Sequence, residues 1–119
     1  MKTDNVILDK TYAFALKIVK LYLQLKKDNE FILSRQLVKS STSIGANSEE
    51  GAAAQSKNDF ISKFSIALKE ARESRYWLRL LRDSELIDIN YADILIEECN
   101  EIIRIITSII KTARNNTKS

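Results

Sequence analysis

"SSTSIGANSEEG", residues 40–51, decides how this chain is read, because between Ser40 and Gly51 only Ile44 has a large apolar side chain. Such a stretch is a loop between two domains, a phosphate-binding turn, or a helix built to lie very close to another. The phosphate-loop reading fails, since "SIGANSEEG" has neither the paired glycines nor the Lys-Ser/Thr ending that such a loop needs. At helical spacing Ser41, Ile44, Ser48 and Gly51 fall on one stripe, and Thr42, Gly45, Glu49 and Ala52 on the next. Both stripes are mostly small, and small side chains let helix axes approach toward the lower end of the usual range of about 8–10 Å. Gly45 lowers helix propensity by about 1 kcal/mol relative to Ala, and a close packing contact is its expected compensation. The spacing predicts a helix.

Composition agrees. The 119 residues include no Pro, and the two Gly residues are both inside this stretch. That nearly excludes a turn-rich β sandwich and favours long helices with short joints. One domain is expected at this length, with enough chain to bury a single core. Charged residues at 29% and hydrophobic ones at 45% are ordinary for a soluble globular protein. A net charge of +3 permits contact with nucleic acid without requiring it. The single Cys99 cannot form an intrachain disulfide, so a reducing cytoplasm is the simpler compartment. The start, "MKTDNVILDK", lacks the apolar core of a signal peptide. Even the richest apolar run, "IIRIITSII" at 102–110, carries Arg104 and falls short of the roughly 20 residues that cross a bilayer, so no membrane role is expected.

Outward from residues 40–51, the chain reads as four helices. Helix one is expected over about 5–27, with Leu8, Tyr12, Ala15, Val19 and Tyr22 on one face and Phe14, Ile18, Leu21 and Leu25 on a second. Only a narrow polar strip remains, containing Lys10, Lys17, Lys20, Gln24 and Lys27, so this helix should be covered on several sides. Helix two is expected over 35–53 with Ser34 as its N-cap. Helix three, 57–83, opens on "SKND", where Ser56 can cap and Asp59 suits the positive helix start. It carries Phe60, Phe64, Ala67, Ala71, Ser74, Leu78 and Leu81 on one stripe. Helix four, 90–114 with Asn90 as cap, lines up Leu95, Cys99, Ile102, Ile106, Ile109 and Ala113, flanked by Ile96, Ile103 and Ile110. The polar tail "NNTKS" follows and is expected to fray. Four such rods with short joints give an all-α fold, an antiparallel up-and-down four-helix bundle.

The stretch at 40–51, followed by "SKNDFISKFSIALKEARESRYWLRLL", resembles the bacterial four-helix-bundle family named for 23S rRNA intervening sequences. Ser43, Ile44, Ala46, Asn47, Glu50 and Gly51 match the first part of its pattern. Asp59, Phe60, Ile66, Ala67, Glu70, Ala71, Glu73, Tyr76 and Leu78 match the second. The departures are Gly45, where many members have Pro, and Ser48-Glu49, where many have Ile-Ala. The resemblance implies a bundle whose members assemble into ring-shaped homopentamers. It also implies kinship with an accessory protein of diversity-generating retroelements that works with nucleic acid and a reverse transcriptase. The name describes where the genes lie and gives no activity.

Apart from the resemblance, helix four with its flank and Ile105, and helix one with its two stripes, carry more apolar surface than one bundle core needs. Excess apolar face in a soluble chain implies a second copy, or else a fatter monomer core.

The chemistry available is narrow. With no His, serine-histidine and cysteine-histidine catalysis are absent in their usual forms, and a structural zinc site is not expected. Cys99 lies on the apolar seam of helix four, as a small buried hydrophobe does. Glu49, Glu50, Glu70, Glu73, Glu97, Glu98 and Glu101 invite a di-metal reading, but bundle sites of that kind use Glu-x-x-His and this chain cannot. Glu73 is expected to pair with Lys69 one turn before it, and Glu50 and Glu70 to make polar contacts between helices two and three, with Asn47 and Tyr76 as candidate donors. No metal, cofactor or enzymatic activity is expected.

Basic residues are the better lead. Lys69, Arg72, Arg79 and Arg82 share a broad face of helix three with Arg75 beside it, and Tyr76 and Trp77 lie among them. Arginine binds phosphate bidentately and aromatic rings stack on bases. Lys17 and Lys20, with Lys10, Lys26 and Lys27, add a second strip on helix one. The same charges also fit an ordinary solvated surface, and Trp77 also fits a subunit interface. The leading expectation is a non-enzymatic self-assembling bundle, a homopentamer that offers basic surface to RNA or DNA. The alternative is a protein-protein adaptor with no nucleic-acid role.

Overall fold

The computed structural model describes residues 2–116, which form α1 (Lys2–Lys27), α2 (Ile32–Ala52), α3 (Lys57–Asp83) and α4 (Ile89–Asn116). Each helix packs on its neighbours in sequence, and α4 returns to α1 to close the bundle. The α2–α3 interface is the most extensive and the α1–α4 interface the sparsest. The result is an all-α antiparallel four-helix bundle, elongated at 52 × 20 × 20 Å.

The expected stripe of α3 is the core stripe: Phe64, Ala67, Ala71, Ser74, Leu78 and Leu81 are buried and Phe60 is half-buried. On α4, Leu95, Cys99, Ile102, Ile106 and Ile109 are buried and Ala113 half-buried. Helix α1 divides differently from the expectation. Phe14, Ile18, Leu21 and Leu25 face the core together with Ile7 and Thr11, whereas Tyr12 on the other stripe is 61% exposed and Leu8, Ala15, Val19 and Tyr22 are half-buried. Thr11 is fully buried because its hydroxyl donates to its own helix, to the Ile7 carbonyl at 2.8 Å, leaving a small methyl-bearing side chain to pack. The α4 flank is also placed differently from the self-association argument. Ile110 is buried, and Ile96, Ile103 and Ile105 pack half-buried against the subunit's own core, so this flank does not supply the apolar excess. Exposed large apolar residues lie instead along α1, at Val6, Tyr12, Leu16 and Leu23, and at the start of α4, at Ile89, Tyr91 and Ile94.

Residues 40–51 are helical throughout, and their two small stripes have unequal roles. Ser41, Ile44, Ser48 and Gly51 are buried; of the second stripe only Gly45 is. The Ser40 hydroxyl shares a 2.8 Å hydrogen bond with that of Ser74 on α3, and Ser41 donates to the same oxygen at 3.0 Å. A methyl group on Gly45 would lie 3.3 Å from Thr11 Oγ1, so the glycine admits α1 closely, and Gly51 admits α3. Buried hydroxyls thereby sit in an interior where every buried side-chain nitrogen or oxygen among the described residues is partnered.

Two caps differ from those expected. Helix α2 begins at Ile32, so Ser34 is a buried residue of its first turn rather than the cap. The Glu30 carboxylate accepts from the Leu33 and Ser34 amides at 2.9 and 3.0 Å instead. Helix α4 begins at Ile89, and Asp88 rather than Asn90 caps it, accepting from the Tyr91 amide at 3.0 Å. Each carboxylate also complements the positive end of its helix. Ser56 caps α3 as expected, accepting from the Asp59 amide at 3.0 Å. Both glycines being inside α2, the left-handed residues that end α1 and α3 are Asn29 (φ 67°) and Glu85 (φ 61°). Amides one residue later, Glu30 and Leu86, reach back to the Leu25 and Leu81 carbonyls, the six-to-one bond of a Schellman ending. At the other end of the chain α4 continues to Asn116, so Asn115 and Asn116 of the polar tail are helical; Thr117, Lys118 and Ser119 lie outside the described residues.

Candidate functional site

The five α3 cations between Lys69 and Arg82 separate into two groups. Lys69, Arg72 and Arg79 are exposed on the outer face, with Tyr76, itself 51% exposed, between them at helical spacing. Arg75 and Arg82 turn toward α4. Arg75 Nη1 donates to Asn100 Oδ1 at 2.8 Å, and Arg82 pairs with Asp83 at 2.8 Å and with Asp93 of α4 at 3.0 Å. The Arg82 hydrogen bond holds the Asp83 carboxyl below its ordinary range. Three cations therefore face outward and two hold the α3–α4 seam.

The strip on α1 divides in the same way. Lys17 pairs with Glu98 and Lys10 with Glu101, each at 2.8 Å, bridging the sparse α1–α4 seam. The Lys10 hydrogen bond lowers the Glu101 carboxyl from its ordinary value. Lys20, Lys26 and Lys27 are exposed. Of the aromatic pair, Trp77 is half-buried against the core and its indole donates to Glu73 Oε2 at 3.0 Å, so Glu73 pairs with Trp77 rather than with Lys69. Tyr76 meets Trp77 edge-on, with ring centroids 5.1 Å apart, and remains about half exposed.

Most residues of the sequence motif belong to the α2–α3 scaffold. Ile44 is buried and Ala46 exposed, while Asn47 Nδ2 donates back to the Ser43 carbonyl at 2.9 Å and to its hydroxyl at 3.0 Å. Glu50 does reach α3, but through Lys63 at 3.1 Å and not through Asn47 or Tyr76. Gly51 lies under Phe64, Asp59 follows the Ser56 cap, and Phe60 tilts against Phe64 with centroids 4.8 Å apart. Burial, and after it the charge of Glu73, raise the Glu70 carboxyl above its ordinary value, opposed by Lys69 and Lys39. Much of the motif is thus a record of how α2 packs on α3, whereas its Tyr76 is exposed among the outward cations.

Sequence reasoning missed a groove between α3 and α4. Arg72 lines it from α3, and Lys111 and Arg114 line it from α4. The available signal was spacing: 65, 68 and 72 on one helix and 107, 111 and 114 on the other each lie about one turn apart and share a face. Among the described residues no three of His, Cys, Asp and Glu converge as metal ligands would. Cys99 is buried with its thiol donating to the Ala71 carbonyl at 3.1 Å. No described helix is long and apolar enough to cross a membrane.

Comparison with known proteins agrees with this architecture. The family model described as 23S rRNA-intervening sequence protein matches residues 3–108. The crystal structure of a protein of unknown function from the S23 ribosomal protein family of Bacteroides thetaiotaomicron VPI-5482 is 45% identical and superposes with a TM-score of 0.88, covering 92% of this chain and 98% of that one. No curated protein matches.

Proposed function

The chain belongs to the 23S rRNA-intervening sequence protein family, and from that premise we propose a non-enzymatic, cytoplasmic bundle that self-assembles into a homopentameric ring and offers basic surface to RNA or DNA. The observation that carries the nucleic-acid reading is the outer face of α3, where Lys69, Arg72 and Arg79 stand exposed around a half-exposed Tyr76. Guanidinium groups take phosphate oxygens in pairs, and a tyrosine among them supplies a stacking surface that every base can use. One such face is weak. Repetition around a ring raises the effective concentration of each face once the first has bound, so assembly and binding form one device.

Assembly is supported by α1. Tyr12, Leu16 and Leu23 are 61%, 47% and 56% exposed and, with Val19, recur at helical spacing along the side facing away from the core. A row of large apolar side chains in water is the expected signature of a covered face. The absence of His and the burial of the only thiol favour a binding role over catalysis.

The adaptor reading has its own support at the end of the bundle that holds the α1–α2 and α3–α4 turns. Phe31, Ile32, Leu86 and Ile89 are all exposed there. A salt titration separates the two. RNA held through several phosphates dissociates steeply as salt rises, and Arg72→Gln with Arg79→Gln weakens retention and flattens that slope. Failure of micromolar protein to retain RNA at low salt removes the nucleic-acid reading.

A further inference from the structure

We infer that the groove between α3 and the C-terminal half of α4 is a phosphate site that seats one phosphate group of a nucleic-acid strand; this rests on the proposed nucleic-acid role. The groove has a volume of about 540 Å³, within the range of about 300–1,000 Å³ typical of small-ligand pockets and enough for one nucleotide. Arg72 enters from α3, Lys111 and Arg114 from α4, and the described lining includes no Asp or Glu. Arg72 and Lys111 bring positive charge to one groove from two helices, and an anion seated between them is attracted by both.

The neutral residues suit a phosphate ester. Ser65, whose hydroxyl makes no hydrogen bond among the described residues, and the side-chain amide of Asn115 also line the groove and add neutral donors. Thr107 lines it too, but its hydroxyl donates to the Ile103 carbonyl at 2.7 Å, so its proton is committed. Leu68 is half-buried and Ile110 nearly fully buried, and they give the groove an apolar part against which a ribose or base edge can rest. Lys111 and Arg114 also complement the negative C-terminal end of α4. That dipole gives no reason for Arg72, which projects from the neighbouring helix. The site adjoins the outer face of α3 through Arg72, so a strand lying along Lys69, Arg79 and Tyr76 has one phosphate within reach of the groove.

The test is an amide NMR titration of the full chain at low salt, first with inorganic phosphate and then with a single-stranded RNA of twelve nucleotides. Phosphate is expected to shift the amides of residues 65–72 and 107–115 first and furthest. Lys111→Gln and, separately, Ser65→Ala should each weaken that response, Lys111→Gln more, with the amide spectrum elsewhere unchanged. In RNA binding Lys111→Gln should reduce the salt slope by about 1. Phosphate shifts spread evenly over all basic surfaces, or absent from the groove, overturn the site. Localised phosphate shifts without any RNA retention overturn the nucleic-acid reading and leave a site for small phosphate esters.

Discussion

Gly51 of α2 lies so close to the ring of Phe64 on α3 that a methyl group at position 51 would come within 2.8 Å of both Cδ2 and Cε2. Phe64 is fully buried and tilted against Phe60, so its ring has no solvent to move into. Gly51→Ala should therefore lower stability by about 1–3 kcal/mol despite the gain in helix propensity. Chemical denaturation measures this, and an unchanged or raised midpoint contradicts the close α2–α3 approach.

Gly45 makes the corresponding approach to α1, where a methyl group added at position 45 would meet Thr11 Oγ1 at 3.3 Å. A leucine there cannot be fitted without moving α1, and Gly45→Leu should cost about 1–3 kcal/mol by overpacking. A thermal melt with the wild-type midpoint would show that the small stripe has no packing role at this position.

Glu85 ends α3 in the left-handed region at φ 61°, is exposed, and keeps a side chain where glycine is unstrained. Glu85→Gly should stabilise the bundle by about 0.5–1 kcal/mol, the relief of left-handed strain exceeding the added freedom of the unfolded chain. A lower midpoint in the melt of this variant would contradict the ending described for α3.

Cys99 provides a chemical and a pH prediction. Burial pushes its thiol up to about 12, with Arg75's charge and a backbone hydrogen bond opposing. The native protein should resist a disulfide reagent at pH 8 and react at the rate of unfolding once denaturant is added. From pH 9.0 the unfolded thiol ionises while the folded one holds its proton to about 12. Stability from this group is therefore constant below that window and falls as pH rises through it. Rapid stoichiometric labelling of the native chain would refute the burial.

The fold was legible wherever apolar residues keep to one stripe, as on α3 and α4. Helix α1 was harder to read because large apolar residues surround it, and Thr11 hides its polarity within its own backbone. The caps Glu30 and Asp88 lie before plausible neutral alternatives, Ser34 and Asn90, and spacing alone does not rank a carboxylate above a hydroxyl or amide. The basic face was legible as composition but not in its partition. Asn100, Asp93, Glu98 and Glu101, which engage Arg75, Arg82, Lys17 and Lys10, are brought opposite them by tertiary packing. The α3–α4 groove escaped notice for the same reason.

The most direct test of the account is light scattering on the purified chain, because the exposed row on α1 and the multivalent basic face both depend on copies gathering. The mass is expected near five times 13.6 kDa, falling toward a single chain when Leu16 and Leu23 are both changed to Glu. A wild-type mass of one chain across micromolar concentrations would contradict it.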